Sequence, residues 1–470
     1  MAGIIGFGTY VPSYRLPREL IAKEWGQPSM GGEKAVAGHD EDSLTMAVNA
    51  ALNALPDGAA RGVDAIYFAS TTPPYREKQS ATTVAAVLDA GNTVRTADFT
   101  DSLRAGTSAL RAALDAVAAG SKRALVCAGD CRMGEPDSIA EQSYGDAGAA
   151  VLVGGDGEPV LAEVVGAYTQ SEEFLGTWRS AEQDFLHAFP GAFETKFGYA
   201  PFIIGAVAGL LKQTGTRPEA ISKAVIAAPN PRAIGAVAKT LKLDPKQQVQ
   251  DTLWTLLGDT GTAQPLVLLG AALERAKPGE LILLVSYGDG ADALLLRTTD
   301  AIARYRTGRS LFAQVERKRL LPSYGKYARF RRLIKKDSSS DDLSTPVVLF
   351  RDRRTVLSLH GGRCPKCGTV QFPRHRVCIE CGHRDGLEEH QLARRGTLFT
   401  FTNDYLHDSP DAPTTHGVVE LDGGGRVYVQ LTDVDPEQVE VDMPVELTFR
   451  KYHEGSGLQN YFWKARPAPR

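Results

Sequence analysis

The tetrapeptide Ser-Tyr-Gly-Asp occurs twice in this chain, and each copy leads directly into an apolar strand, over residues 143–153 and 286–296. A Gly-Thr pair precedes each copy and opens a predicted helix, at Gly106-Thr107 and at Gly261-Thr262. Self-similarity of this kind indicates an internal repeat. We therefore interpret the first part of the chain as one domain, residues 1–300, built from two similar halves of about residues 1–160 and 161–300.

Each half alternates helical and extended patterns. The spacing of apolar residues predicts a helix over residues 42–55, and short apolar runs predict buried strands over residues 65–70 and 123–129. Alternation of helices and strands predicts an α/β layered fold.

Residues 98–110 form a polar turn, called the elbow below, that runs into an alanine-rich helix. Leu110, Leu114 and Val117 recur at i, i+4 and i+7, which predicts one buried helix face. A helix N-terminus carries free N–H groups and a partial positive charge, so the elbow favours negative charge. In several enzyme families a nucleophile occupies such a turn, but here the position holds Leu103.

Charge and cysteine content restrict the class of protein. The formal net charge of -3 gives no general attraction to nucleic acid or to anionic membranes. No apolar run approaches the roughly 20 residues that span a bilayer, and the N-terminus lacks the pattern of a secretory signal. Four of the six cysteines form one cluster, a usage typical of the reducing cytosol. We predict a cytoplasmic protein without a membrane partner.

Residues 301–345 change in character. From Arg304 to Lys336 the chain carries twelve Lys or Arg residues, one acid, Glu316, and several aromatic residues. Basic and aromatic residues together suit single-stranded nucleic acid, but we favour a basic helical connector that packs on the first domain and leaves its charges in solvent or on a ligand phosphate. Ser338–Asp342 then has the composition of a flexible linker.

Two Cys-x-x-Cys pairs follow, separated by ten residues. Each pair brings two thiolates to one side of a tight turn, and two such pairs close a tetrahedral site for structural Zn²⁺. A redox role is excluded because all four thiolates are used as ligands. We predict a rubredoxin-like zinc ribbon over residues 346–392, with the ligands Cys364, Cys367, Cys378 and Cys381.

Residues 393–470 read as short alternating strands separated by turns, which predicts a small closed or partly closed β-barrel. A zinc ribbon followed by such a barrel suits nucleic acid, an acyl carrier or another protein surface, and the residues leave these alternatives open.

The N-terminal part resembles the thiolase superfamily, and within it the 3-hydroxy-3-methylglutaryl-CoA synthase branch. The resemblance lies in five stretches: the opening Ile-Gly-Phe-Gly-Thr-Tyr-Val-Pro12, Arg104-Ala-Gly-Thr107, Phe174 to Phe197, Pro229-Asn230 and Ser286-Tyr-Gly-Asp-Gly290. The remainder resembles the zinc-ribbon and OB-fold module known as DUF35. The resemblance implies a five-layered α/β/α/β/α fold, a homodimer, a CoA thioester as substrate and a partner enzyme of the same pathway.

The departures from the family pattern concern the reactive residues. The resemblance aligns the family's acyl-carrying cysteine with Leu103, its histidine with Ala227, its glutamate with Thr71 and the asparagine of its Gly-Asn motif with Asp259. Without a thiolate, no covalent acyl-enzyme forms by the family's route. Ser102 lies one residue from the elbow position, but no adjacent general base is evident to activate it.

These features support three hypotheses. The first is a cysteine-independent aldolase or retro-aldolase that acts on a β-hydroxyacyl-CoA. The N–H groups near Leu103 and Arg104 would stabilise the enolate oxygen, and the candidate acid/base residues are Tyr287, Asp259 and His187. The second is an acyl-CoA-binding scaffold that has lost catalysis. The third, and minor, hypothesis is nucleic-acid binding through the C-terminal module.

Overall fold

The computed structural model of the protein describes residues 2–55, 60–155, 157–189, 191–334 and 344–469. They fall into two compact units. Unit 1 comprises Met1–Gly38 and Asp42–Tyr327, and unit 2 comprises His39–Glu41 and Ala328–Arg470. The predicted linker Ser338–Asp342 lies outside the described residues.

Unit 1 contains mostly short strands, several of which are buried along their whole length, as expected where a sheet is covered on both faces. They are β1 (Gly3–Tyr10), β2 (Tyr14–Pro17), β3 (Glu33–Val36), β4 (Ala65–Ala69), β5 (Arg95–Phe99), β6 (Arg123–Asp130), β7 (Ala147–Gly154), β8 (Ala162–Ser171), β9 (Thr177–Trp178), β10 (His187–Ala188), β11 (Lys223–Ile226), β12 (Leu281–Tyr287), β13 (Gly290–Thr298) and β14 (Arg319–Leu320).

The helices connect these strands. They are α1 (Arg18–Trp25), α2 (Ser43–Ala54), α3 (Ser80–Val87), α4 (Ala105–Ala118), α5 (Ile139–Ser143), α6 (Gly191–Glu194), α7 (Ala200–Thr214), α8 (Arg232–Thr240), α9 (Trp254–Leu257), α10 (Gln264–Leu273), α11 (Leu311–Glu316) and α12 (Tyr324–Phe330). A π-helix spans Thr195–Tyr199, and short 3₁₀ helices span Pro218–Ala220, Gly261–Ala263 and Asp300–Arg304.

The two halves of unit 1 repeat one sheet topology. The first half has the strand order β1-β7-β6-β4-β5 and the second has β8-β13-β12-β11. In both halves the first two pairings are antiparallel and the third is parallel. A short ladder between β1 and β8 joins the halves into one nine-stranded hydrogen-bonded sheet. The internal repeat in the sequence therefore corresponds to a repeat in topology.

Helices α4 and α10 occupy equivalent places in the two halves. They contact each other and the strands of the sheets, whereas α2 packs on β1, β6 and β7, and α7 packs on β8 and β13. The apolar face predicted for α4 is buried at Leu110 and Leu114, with Val117 packed against the same core. Helix α2 begins as its sequence predicts, because the Asp42 side chain accepts from Thr45 N–H in a capping box.

The Ser-Tyr-Gly-Asp turns pack reciprocally. The first turn lies against the residues that lead into α10. There Gly145 N–H donates to the Asp259 carbonyl at 2.9 Å, and Asp259 N–H donates to the Ser143 carbonyl at 2.9 Å. The second turn lies against the elbow, because a Cβ on Gly288 would lie 2.8 Å from the Arg104 nitrogen. Each half thus positions the helix start of the other.

Unit 2 contains the predicted ribbon and the predicted barrel. Its helices are α13 (Pro346–Arg351) and α14 (Arg353–Val356), with a 3₁₀ turn at Pro436–Gln438, and its strands are β15 (His360–Arg363), β16 (Val370–Gln371), β17 (Glu388–Gln391), β18 (Arg395–Asp404), β19 (Thr414–Leu421), β20 (Arg426–Gln430), β21 (Pro444–Gly455) and β22 (Leu458–Pro467). Strands β15 to β17 form one sheet, and the barrel strands have the order β20-β19-β18-β21-β22. A bridge between Leu431 and Ala465 links the two outer strands.

The basic segment after residue 300 is less helical than its composition suggests. Only α11 and α12 are α-helical among its described residues, and the boundary between the units falls after Tyr327, within α12. Several of its side chains are used internally: Tyr305 bonds both backbone groups of Phe7, and the amide of Gln314 bonds the backbone of Thr9 and Val11. Among the described residues, no helix is long and apolar enough to cross a membrane.

Candidate active site

A small pocket in unit 1 brings together the elbow, the Ser-Tyr-Gly-Asp turn of the second half and the start of α10. It is lined by residues from both halves: Leu103, Ala227, Ala228, Pro229, Asp259, Gly261, Gln264, Pro265, Ser286 and Tyr287. Three of the four positions that the sequence aligned with reactive residues of the family, Leu103, Ala227 and Asp259, therefore line one pocket together with Tyr287.

The elbow presents backbone N–H groups rather than a nucleophile. Leu103 and Arg104 immediately precede α4, and among the described residues neither backbone N–H has an acceptor. Gly288, at φ +154°, lies against these two nitrogens. A Cβ at this position would lie 2.8 Å from the Arg104 nitrogen and 3.0 Å from the Leu103 nitrogen. Only glycine lets the second-half turn approach the elbow this closely.

The Arg104 side chain turns away from the pocket and holds the elbow in place. Its guanidinium donates to Ser171 Oγ at 3.0 Å and lies 3.5 Å from the Asp292 carboxylate. The same carboxylate accepts from Thr107 Oγ1 and Thr169 Oγ1, each at 2.8 Å. A buried acid of the second half therefore fixes the first turn of α4.

Tyr287 is buried and hydrogen-bonded to Glu194, which the sequence analysis did not single out. Burial raises the pKa of the Glu194 carboxyl, and the hydrogen bond from Tyr287 partly opposes that increase. Burial also raises the pKa of the Tyr287 phenol, with the neighbouring Glu194 charge acting in the same direction. The pair therefore combines a neutral phenol with a carboxylate whose basicity is increased.

Asp259 forms a second buried pair. Its carboxylate accepts from Arg132 at 2.9 Å, with both side chains almost fully buried, and from the Gly261 N–H at 2.9 Å. The Arg132 guanidinium also lies 4.3 Å from the centre of the Tyr144 ring. Burial lowers the pKa of Arg132, but Tyr144, Asp259 and Asp130 more than compensate, so the net pKa is raised and the side chain stays charged. The bond from the Gly261 N–H is that of a cap at the start of a helix, so Asp259 also stabilises the local backbone.

Thr71 is held by Asp130. The buried Asp130 carboxylate accepts from the Thr71 N–H at 2.7 Å and from Thr71 Oγ1 at 3.0 Å, and it also accepts from Thr262 N–H at 2.8 Å. Thr71 is not among the residues that line the pocket. Its hydroxyl supports the backbone at the junction of the two halves.

His187 and Ser102 both lie outside the pocket lining. His187 lies on β10 and stacks on Trp178 with ring centroids 5.9 Å apart. The Ser102 hydroxyl is buried against Gly288 and has no hydrogen-bond partner among the described residues. A serine nucleophile needs a base within hydrogen-bond reach, so the geometry gives Ser102 no means of activation.

A row of aromatic rings extends from Tyr287 to the surface of unit 1. Phe202 lies 6.4 Å from the Tyr287 ring and 5.8 Å from Phe174, and Phe174 stacks on Phe193 at 5.8 Å. Phe193 is nearly half exposed. Phe193 precedes Glu194 in α6, and this helix continues into the π-helix, a feature frequent at functional sites.

The four cysteines predicted as zinc ligands converge in unit 2. Their sulfur atoms all lie within 4.8 Å of one another, with Cys364 and Cys381 3.7 Å apart and Cys367 and Cys378 3.5 Å apart. A tetrahedral zinc with Zn–S bonds of about 2.3 Å requires sulfur separations of about 3.8 Å. The residues therefore fit structural zinc, and the four thiolates leave no open coordination position for catalysis.

Glu194 and Arg132 are the residues of this site that reading the sequence missed. Glu194 ends the short helix α6 and Arg132 follows β6, and tertiary packing brings them to Tyr287 and Asp259. One signal was available for Glu194: it is the single acid in the apolar and aromatic segment Gly191-Ala-Phe-Glu-Thr-Lys-Phe-Gly-Tyr199.

Comparison with known proteins places both parts of the chain among characterised families. Residues 211–297 match the family described as 3-oxoacyl-[acyl-carrier-protein (ACP)] synthase III C terminal. Residues 352–388 match the ChsH2 rubredoxin-like zinc ribbon domain, and residues 389–450 match the ChsH2 C-terminal OB-fold domain.

The curated relatives are similar over the N-terminal part of the chain. The hydroxymethylglutaryl-CoA synthase of Methanopyrus kandleri is 34% identical over 345 residues, which is 71% of this chain and 98% of the relative. The hydroxymethylglutaryl-CoA synthase of Thermococcus onnurineus is 35% identical over 338 residues, covering 70% of this chain and 96% of the relative.

Solved structures agree at the level of the fold. A crystal structure of an HMG-CoA synthase complexed with CoA superimposes with a TM-score of 0.65 at 18% identity, covering 73% of this chain and 94% of that chain. The 3-oxoacyl-[acyl-carrier-protein] synthase III of Aquifex aeolicus gives a TM-score of 0.56 at 24% identity, covering 63% and 100%. The predicted fold is confirmed: thiolase-like α/β, followed by a zinc ribbon and an OB-fold.

Proposed function

Because this chain belongs to the hydroxymethylglutaryl-CoA synthase family, we propose that its pocket binds an acyl-CoA thioester and that it makes or breaks a carbon–carbon bond next to that thioester without an acyl-enzyme. The observation that carries the proposal is the composition of the pocket. Leu103 and Ala227 lack any nucleophile or base, whereas Tyr287 lies in the same pocket and is paired with Glu194. A cysteine-independent aldolase or retro-aldolase needs a proton-transfer pair such as Tyr287 and Glu194. It needs no nucleophile or base at positions 103 and 227.

In the cleavage direction, the substrate is a β-hydroxyacyl-CoA. Tyr287 contacts the β-hydroxyl and takes its proton while its own phenolic proton passes to Glu194. The bond between the α and β carbons then breaks, and an aldehyde or ketone leaves. The electron pair of the broken bond forms the enolate of the shorter thioester. The proton held on Glu194 returns through Tyr287 to the α carbon. The reaction therefore needs no oxidant, reductant or further reactant.

The enolate oxygen develops negative charge on the thioester carbonyl. The N–H groups of Leu103 and Arg104, at the start of α4, are available to donate to it. Preorganised donors of this kind stabilise a developing oxyanion strongly in a site that excludes water. A backbone donor survives the replacement of a cysteine side chain by leucine, so this part of the family's chemistry does not depend on a thiol.

Asp259 then serves as the partner of Arg132, and the pair adjusts the electrostatics around Glu194. Of these two charges, Arg132 lowers the pKa of the Glu194 carboxyl and Asp259 raises it. His187 is not required in this scheme, since it does not line the pocket.

We further propose that unit 1 forms a homodimer. Strand β5 lies at the end of the sheet order, and its residues are intermediate or exposed. An unpaired edge strand of this kind is a template for pairing with another chain. Sedimentation or light scattering would test this, and a strictly monomeric protein would contradict it.

The test of the activity offers the purified protein a panel of β-hydroxyacyl-CoA thioesters with branched, aromatic and polycyclic tails. We expect release of an aldehyde or ketone together with a shorter acyl-CoA, which chromatography with mass detection measures. A labelled acyl group found covalently attached to the protein after incubation with acetyl-CoA would contradict the non-covalent scheme.

The second candidate function is an acyl-CoA-binding scaffold that supports a partner enzyme of the same pathway. Leu103 and Ala227 favour it, because neither side chain can take part in proton transfer. The two candidates differ in one measurement. Binding of the thioester panel without turnover supports the scaffold, whereas turnover that depends on Tyr287 supports the aldolase.

A further inference from the structure

A groove in unit 2, separate from the pocket of unit 1, lies between helices α13 and α14 and the zinc ribbon. Its volume of about 630 Å³ is within the range of small-molecule sites. Its lining includes four arginines, Arg351, Arg353, Arg354 and Arg374, and two acids, Asp352 and Glu389. The charged lining therefore carries an excess of two positive charges when histidine is neutral.

The arginines of the groove differ in how their charge is balanced. Arg351 donates two hydrogen bonds of 2.9 Å to Asp352, and Arg354 donates one of 2.6 Å to Glu389. Among the described residues, no carboxylate lies within ion-pair distance of Arg353 or Arg374. The excess positive charge is thus located on two guanidinium groups that face one concave surface.

The excess charge lies beside apolar surface. Phe372 and Phe462, both half-buried, line the same groove, and the Arg353 guanidinium stacks 4.3 Å from the centre of the Phe350 ring. Guanidinium groups bind phosphate oxygens in a bidentate geometry. An aromatic ring beside them suits the planar base of a nucleotide.

We propose that this groove binds the phosphate groups of a nucleotide, with Arg353 and Arg374 as the phosphate-binding residues. Two unbalanced cations match the charge of a phosphomonoester dianion or of a diphosphate. The volume of the groove fits one nucleotide rather than a nucleic-acid strand, which requires an extended track of phosphate contacts. The ligand comes either from a free nucleotide or from the nucleotide end of a CoA thioester, and both share this chemistry.

The experiment measures binding to the zinc-loaded full-length protein by calorimetry, with ADP, pyrophosphate, CoA and a single-stranded oligonucleotide as separate probes. We expect ADP to bind and pyrophosphate to compete with it. The double variant Arg353→Gln/Arg374→Gln is expected to weaken ADP binding at least tenfold. The matched control, Arg363→Gln/Arg384→Gln, removes two exposed arginines of the same ribbon that do not line the groove and is expected to leave binding unchanged.

Three results would overturn the proposal. They are the absence of ADP and pyrophosphate binding at millimolar concentration, an equal loss of affinity in both double variants, and binding of the oligonucleotide alone. Competition between CoA and ADP identifies the source of the nucleotide. Pyrophosphate competition on the unaltered protein needs no variant, and nucleotide binding is measured without turnover, so failure of the proposed activity and failure of this site are distinguishable.

Discussion

Removal of one oxygen atom tests the proposed chemistry most directly. Tyr287→Phe keeps the ring, its packing on Phe202 and its edge contact with Tyr199, but removes the phenol that bonds Glu194. Two effects follow. The proton relay to the substrate is lost, and Glu194, which is only 8% exposed, loses a hydrogen-bond donor.

The magnitudes of these effects are substantial. General acid–base catalysis contributes about 100- to 10,000-fold to a rate, so we expect turnover to fall by about 100-fold or more. A hydrogen bond to a charged group is worth about 1.5–3 kcal/mol. Because that bond lowers the pKa of the Glu194 carboxyl, its loss raises the pKa further. A base acts when deprotonated, so the rising limb of the pH–rate profile moves to higher pH in the variant.

The assay records kcat and KM across pH with an active β-hydroxyacyl-CoA. The matched control is Tyr199→Phe, because the Tyr199 hydroxyl is buried beside Tyr287 but has no hydrogen-bond partner among the described residues. We expect the control to retain the activity and the pH profile of the unaltered protein. Equal losses in the two variants, or a shift of the Tyr287→Phe profile to lower pH, would refute the reasoning.

Four further outcomes are expected. Asp259→Asn removes a charge that raises the pKa of Glu194, so the rising limb of the pH–rate profile moves to lower pH. An unchanged profile would argue against electrostatic coupling between Asp259 and Glu194. Gly288→Ala at φ +154° displaces the elbow nitrogens and costs about 1–3 kcal/mol of stability, with loss of kcat, as thermal unfolding and kinetics would show. Asp40→Asn removes the carboxylate that lies 2.9 Å from the buried Lys464 ammonium, and it destabilises unit 2 by about 3–5 kcal/mol. Hydrogen exchange in β21 and β22 measures this loss, and exchange rates equal to those of the unaltered protein would contradict it. Chelation of the zinc held by Cys364, Cys367, Cys378 and Cys381 unfolds the ribbon but leaves unit 1 folded. Circular dichroism and hydrogen exchange would distinguish the two effects.

The Asp40 prediction also has a pH dependence. Burial alone would raise the pKa of Asp40, but the neighbouring Lys464 and Arg450 hold it well below its usual range. The stability that this carboxylate provides is therefore present above its unfolded pKa, near 4. It is lost as the pH falls toward the folded value. We expect unit 2 of the unaltered protein to lose stability below about pH 4, and the Asp40→Asn variant to lose less over the same range.

The repeat, the zinc ribbon and the barrel were predictable because each rests on a local pattern. The two Ser-Tyr-Gly-Asp turns and the paired cysteines need only neighbouring residues to be recognised. The assignment of His39–Glu41 to unit 2 was not predictable. In that unit Asp40 and Glu41 pair with Arg450, about 400 residues later in the chain, and no periodicity records such a contact.

Some residues of the candidate site could likewise be predicted from the sequence, and others could not. Leu103, Ala227 and Asp259 could be located by alignment with motifs that occupy fixed places in the fold. Glu194 ends the four-residue helix α6, which is too short to show a periodic pattern, so neither its burial nor its contact with Tyr287 follows from the neighbouring sequence. The role of Thr71 was also hidden, because it depends on Asp130 from another strand.

The reciprocal packing of the two turns has a consequence for how chemistry can change in this fold. Each half contributes one turn and one helix start, so the centre of unit 1 can be reached by side chains from two related directions. A reactive group lost from one helix start leaves the opposite turn in place, already oriented toward the same space. The duplicated architecture therefore allows the reactive group to move between halves while the backbone donors stay fixed. In the proposed scheme, Leu103 and Tyr287 are the two ends of such an exchange.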